Sequence, residues 1–152
     1  MVIRDWSSDV CSSDLYGSVI PQGKADIIIA FEPLEALRNI SYLKKDGKVI
    51  LNTERINPIT VSLGESDYPP IDEILFNLSE KGKVYHFNAT EIAKSVGNQV
   101  TMNMVMMGAL SLLETPIKNE TLLETIVSVL SKKAEINLKA FEAGRKKMEI
   151  LI

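Results

Sequence analysis

Ala25-Asp26-Ile27-Ile28-Ile29-Ala30-Phe31-Glu32-Pro33 decides the fold. A short, nearly continuous apolar run suits a strand buried on both faces of a parallel sheet, where both sides meet helices. Glu32-Pro33 closes it, and proline is well placed in the first turn of a helix, where no intrahelical N–H is needed. A strand ending at Phe31 and a helix over Pro33–Leu43 follow.

The same punctuation continues along the chain. Asp46-Gly47 predicts a turn, and Lys48-Val49-Ile50-Leu51-Asn52-Thr53 predicts a second buried strand. Ile59–Leu63 reads as extended, between Pro58 and Gly64. Tyr68-Pro69-Pro70 leads into a helix over Ile71–Lys81, with Gly82 suited to its C′ position. Lys83-Val84-Tyr85-His86-Phe87 is a third strand. Asn88 then fits an N-cap, with Glu91 as capping-box partner, on a helix ending at Gly97. A Met-rich helix runs from about Asn98 to Glu114. Leu122, Leu123, Ile126, Val127 and Leu130 recur at helical spacing within Asn119–Lys133, and Ala134–Ile152 reads as a last helix. Strand–helix units followed by helices predict an α/β fold with an open, doubly wound, mostly parallel, Rossmann-like sheet. Such a fold normally opens with a strand and a glycine-rich turn. Here Tyr16–Gly23 reads as the tail of an earlier segment, so that opening is expected to be missing and a strand edge left unpaired.

Residues 1–15 stand apart. They hold the only Cys and the only Trp, and they show neither apolar alternation nor helical spacing. Asp5–Leu15 resembles the translation of a common short-read sequencing adapter. The expectation is a non-native, disordered segment at 1–15 and one domain at 16–152. Discounting Arg4, Asp5, Asp9 and Asp14 moves the formal net charge from -3 to about -1. No basic face suggests a nucleic-acid partner. The best apolar stretch, Met102–Leu113, is interrupted by Asn103, Gly108 and Ser111, so no membrane span is expected. With Cys11 discounted, the chain offers no thiolates for an iron–sulfur cluster, a disulfide or a cysteine zinc site. The lack of a targeting signal favours the cytoplasm.

In open α/β sheets ligands gather at the carboxyl ends of the strands. The polar residues there, Glu32, Asn52, Thr53 and Asn88, are the cofactor-binding candidates. Each has a plainer alternative. Glu32 and Asn88 suit helix N-caps, and Asn52 and Thr53 suit loop-entry hydrogen bonds. Asn98, Asn103, Met106 and Gly108 on the Met-rich helix are partner-interface candidates, because that helix is apolar on all sides. The alternatives are an N-cap for Asn98 and core filling for the methionines. His86, the only histidine, sits in a strand and reads as structural. No P-loop, no G-x-G-x-x-G and no nucleophile–base set is present, so no catalytic residue and no metal ligand is assigned.

The run from Ala25 through Arg38 resembles a hallmark stretch of the gamma-type subunits of 2-oxoacid:ferredoxin oxidoreductases, and most of all the beta subunit of the indolepyruvate enzymes. Tyr16–Gly23, Gly47–Thr53, Asn88–Glu91 through Gly97-Asn98, Asn103 through Leu110 and Asn137–Gly144 support the likeness in order. The resemblance implies oxidative decarboxylation of an aryl-pyruvate to its acyl-CoA, with ferredoxin reduced. It also implies an alpha subunit as partner, holding the thiamine diphosphate, magnesium and iron–sulfur clusters. Coenzyme A is the implied co-substrate, ferredoxin is contacted indirectly, and this chain alone binds no cofactor and is inactive. The alternatives are a gamma subunit acting on pyruvate, 2-oxoglutarate or ketoisovalerate, and a non-catalytic interaction module of the same fold.

Overall fold

A computed structural model describes residues 19–56 and 68–152. Residues 1–15 and the expected extended segment Ile59–Leu63 lie outside the described residues.

Among the described residues, three parallel strands form one sheet in the order β1-β2-β3. β1 is Ala25–Ala30, β2 is Leu43–Asn52 and β3 is Gly82–Phe87. β2 is central. Its Val49, Ile50 and Leu51 are all fully buried, because successive side chains point to opposite faces and both faces are covered. Val49 and Leu51 join a core with Ala36 of α1 (Pro33–Asn39) and Ile74 and Leu78 of α2 (Ile71–Ser79). Ile50, Tyr85 and Phe87 join the opposite core. There they meet Ala93 of α3 (Ala89–Val96), Val105, Met106 and Ala109 of α4 (Met102–Leu110), and Ala140 and Met148 of α6 (Ala134–Glu149). α5 (Asn119–Leu130) lies outside and buries only Ile126. Helices thus cover both faces of an open parallel sheet, as the buried-strand pattern requires.

Several expected boundaries shift. The first helix stops at Asn39, a 3-10 turn covers Ile40–Tyr42, and Leu43 already belongs to β2. The Asp46-Gly47 turn is a bulge within β2. Ala25 pairs with Leu43 while Ile27 pairs with Lys48, and Asp46 takes up the displacement at φ 60. Gly82 is no helix cap: it starts β3 opposite Gly47, and a Cβ there would lie 2.2 Å from the Gly47 carbonyl oxygen. The Met-rich helix begins with a 3-10 turn at Gln99–Thr101 and ends at Leu110. A 3-10 turn at Ser131–Lys133 separates α5 from α6. Gly97 closes α3 in the left-handed region at φ 116, a conformation that costs glycine little.

Candidate functional site

The carboxyl ends of the strands carry a connected polar network. Glu32, at the end of β1, is 8% exposed and caps α1: its Oε2 accepts the Glu35 N–H at 2.9 Å. Its Oε1 accepts a short hydrogen bond from the Tyr68 hydroxyl, across the gap between β1 and the start of α2. Burial, and then the hydrogen bond to the Glu32 carboxylate, hold the Tyr68 phenol well above the ordinary tyrosine range. Tyr68 therefore stays protonated and donating near neutral pH. The Arg55 guanidinium lies 5.0 Å from the centroid of the same ring.

Asn52, at the end of β2, is almost fully buried and works inside the fold. Its Nδ2 donates to the Phe31 carbonyl at 3.0 Å and to Thr90 Oγ1 at 3.1 Å, while its Oδ1 accepts the Ala89 N–H at 2.9 Å. One side chain thus ties the exits of all three strands together. Its buried amide has both donors and its acceptor engaged, which is the loop-entry role and leaves no group turned to a ligand. The half-buried Thr53 continues the β2–β3 contact through its N–H, 3.0 Å from the Phe87 carbonyl. Asn88 caps α3, accepting the Glu91 N–H at 2.9 Å, and its Nδ2 donates to Glu54 Oε2 at 3.0 Å. Of the four strand-end candidates, Glu32 and Asn88 combine capping with contact to a further side chain on the open edge. Tyr68, Arg55 and Glu54 join this edge only in the folded chain. The Tyr68-Pro69-Pro70 lead into α2 was the visible signal for the first of these.

The partner-interface expectation needs correction at two positions. Met106 is fully buried in the chain's own core. Gly108 faces α6, where an added Cβ would stand 1.9 Å from the Phe141 carbonyl oxygen, and Gly144 meets Val105 in the same way. The helix is apolar all round because the sheet packs on one side and α6 on the other. Asn98 caps the 3-10 turn by accepting the Val100 N–H at 3.0 Å. Asn103 is exposed, with its Oδ1 on the Met104 N–H at 3.0 Å. Met104 and Met107, not Met106, wall a cleft of about 290 Å³ with Leu122, Val129 and Phe141.

Among the described residues no group of three or more His, Cys, Asp or Glu could hold a metal ion. The sequence has a single cysteine, Cys11. None of the described residues is a cysteine, so they do not fit an iron–sulfur cluster held by thiolates. His86 is exposed on the edge strand β3. No described helix is long and apolar enough to cross a membrane. The network consists of hydrogen-bond donors and acceptors around one carboxylate–phenol pair.

The profile of the pyruvate ferredoxin/flavodoxin oxidoreductase family matches residues 7–147. This chain belongs to that family. Its relatives include the indolepyruvate oxidoreductase subunit IorB of Thermococcus kodakarensis, 45% identical over 139 residues, 88% of this chain and 68% of the relative. The protein of the same name from Methanothermobacter thermautotrophicus is 40% identical over 141 residues, 91% of this chain and 72% of the relative. The chain thus spans about two thirds of the length of these family members. Among solved structures, a keto/oxoacid ferredoxin oxidoreductase gamma subunit from Geobacter sulfurreducens shares the fold. Its TM-score is 0.62 at 22% identity, over 84% of this chain and 66% of that one. The 2-oxoglutarate:ferredoxin oxidoreductase of Magnetococcus marinus is similar at TM-score 0.63 and 26% identity, over 90% of this chain and 22% of that one.

Proposed function

We propose that the chain is a subunit of an indolepyruvate-type, aryl-pyruvate:ferredoxin oxidoreductase, inactive without its larger alpha subunit. The carrying observation is the 45% identity to IorB of Thermococcus kodakarensis across 88% of the chain. The reaction is oxidative decarboxylation: the 2-oxoacid loses carbon dioxide, its acyl group passes to the coenzyme A thiol, and the electron pair leaves to ferredoxin. Thiamine diphosphate, magnesium and the iron–sulfur clusters are assigned to the alpha subunit. In this reading the carboxyl edge of the sheet, with Glu32, Tyr68 and Asn88, faces the partner's reaction centre, and the complex works in the cytoplasm.

The test is co-expression of the full chain with an alpha subunit from the same source. Copurification and indolepyruvate-dependent ferredoxin reduction are expected. Failure of both would overturn the reading. A second reading, a gamma subunit acting on 2-oxoglutarate, is favoured by the likeness to the Magnetococcus marinus enzyme. Comparing kcat/KM for indolepyruvate, pyruvate, 2-oxoglutarate and ketoisovalerate separates the two.

A further inference from the structure

We propose that the outer helix α5 pairs with α5 of a second copy of this chain, antiparallel across a two-fold axis near Val127. The partner is specified by an uncovered apolar stripe on α5 and by opposite charges at its two ends.

α5 carries more apolar surface than its own chain covers. Leu122, Leu123, Ile126, Val127 and Leu130 recur at helical spacing, yet Ile126 alone is buried. Leu122, Ile126 and Leu130 wall the cleft that α5 shares with α4 and α6. Leu123 and Val127, four residues apart, are not among its walls and are neighbours on another flank of the helix. At 3.6 residues per turn Val127 is rotated about 100° from Ile126, and it is 50% exposed. No residue from Thr125 to Ser131 is charged. The outer face of a surface helix ordinarily carries charged and polar side chains, so an uncharged, apolar flank marks a protein contact.

The charges at the two ends select the occupant. Glu120 and Glu124 precede the uncharged stretch, and Lys132 and Lys133 follow it. All four are exposed, and none is in an ion pair among the described residues. Exposed Lys118 shares the first end, which is acidic on balance, while the second end is basic. In an antiparallel pair with its axis at Val127, residues equally far before and after Val127 face each other. Glu120 of one copy then comes within one residue of Lys133 of the other, and Glu124 within two residues of Lys132. A rise of about 1.5 Å per residue makes these offsets about 1.5 and 3 Å, within the reach of a lysine side chain. Parallel pairing would set like charges together. A helix with opposite charges at its ends is its own complement, and the two-fold axis repeats each contact. α5 has 12 residues and is about 18 Å long. One such helix pair buries less than the roughly 800 Å² per partner of a standard interface, so the dimer is weak, with a Kd of about 10–100 µM.

The experiment uses the full chain. Sedimentation velocity across the micromolar range is expected to show monomer passing to dimer. Glu120→Lys with Glu124→Lys, and separately Lys132→Glu with Lys133→Glu, should each weaken the dimer at least about tenfold, because like charges then meet at both ends. These residues are exposed, so circular dichroism should be unchanged. Mixing the two double variants should restore association, since each then meets its opposite. In a Cys11→Ser background, Val127→Cys lies at the axis and should form a disulfide with its own copy under mild oxidation. Val129→Cys, on the other flank, should not. A chain that stays monomeric throughout overturns the proposal. So does a dimer that neither charge reversal weakens, or one that Val129→Cys links as readily as Val127→Cys. In the complex with the proposed alpha subunit, Val127→Cys should still link copy to copy. Linking there to the alpha subunit alone overturns the proposal and gives the stripe to that subunit.

Discussion

Asn52 Oδ1 accepts the Ala89 N–H at 2.9 Å, joining the end of β2 to the first residue of the helix that follows β3. The same side chain reaches the Phe31 carbonyl at the end of β1. Asn52→Ala leaves a buried N–H and a carbonyl without partners. Each orphaned group costs about 1–3 kcal/mol, so a loss of roughly 2–6 kcal/mol is expected. Asn52→Asp keeps the acceptor and loses both donors while burying a charge, and it should be no less damaging. Urea denaturation of the purified chain measures both. A change under 0.5 kcal/mol in either would show that the strand exits do not depend on this residue.

Gly108 and Gly144 let α4 and α6 touch backbone to backbone. A Cβ on either would stand 1.9 Å from a carbonyl oxygen of the facing helix, that of Phe141 or of Val105. Alanine is the better helix former by about 1 kcal/mol. The clash cannot be relieved by rotating a side chain, so overpacking should outweigh that gain and destabilise by about 1–3 kcal/mol. Once one alanine has forced the helices apart, the second should cost less, and the double variant should be less damaged than the sum. Thermal denaturation of the two single variants and the double variant tests this. Stabilisation by either single change would contradict the close approach.

Much of this was legible in the sequence. The apolar runs ending at Phe31 and Asn52 gave buried parallel strands, Pro33 and Gly97 marked helix ends, and Asn88 announced its own cap. Those features are local, set by spacing and by the conformational limits of proline and glycine. Leu43 was misplaced because an apolar residue at the end of a helical pattern looks the same whether it closes a helix or opens a strand. Met106 and Gly108 show a different limit. An all-round apolar helix demands burial but does not say whether its own chain supplies it; Gly144, far along the sequence, was the missing half. The Glu32–Tyr68 bond joins residues 36 apart in sequence, and no spacing rule connects them.

Asn88 serves two masters, as N-cap of α3 and as donor to Glu54. Asn88→Asp retains the cap and sets two carboxylates against each other, whereas Asn88→Ser retains a cap and releases Glu54. Asn88→Ala should cost about 1 kcal/mol through the lost cap. Serine should recover most of that and aspartate less, since repulsion from Glu54 opposes its favourable place at the helix N-terminus. Equilibrium unfolding of the three variants gives the order. Aspartate more stable than asparagine would mean that Glu54 does not face this cap.

The Tyr68 phenol provides a spectroscopic test of the site. The chain has four tyrosines, and Tyr68 is held above its ordinary value of about 10 by burial and by the Glu32 carboxylate. Above pH 10 the unfolded chain releases the phenol proton before the folded chain does. The folded state then binds more protons, and stability falls as pH rises. Below pH 10 both states keep the proton, and the contribution is fully present. An absorbance titration near 295 nm should show a component ionising above the ordinary tyrosine range, absent in Tyr68→Phe. Glu32→Gln removes the negative charge that opposes ionisation, so the late component should move down toward the ordinary tyrosine range without reaching it, because burial remains. A late component that survives in Tyr68→Phe would assign it to another tyrosine and remove the phenol–carboxylate pair from the site.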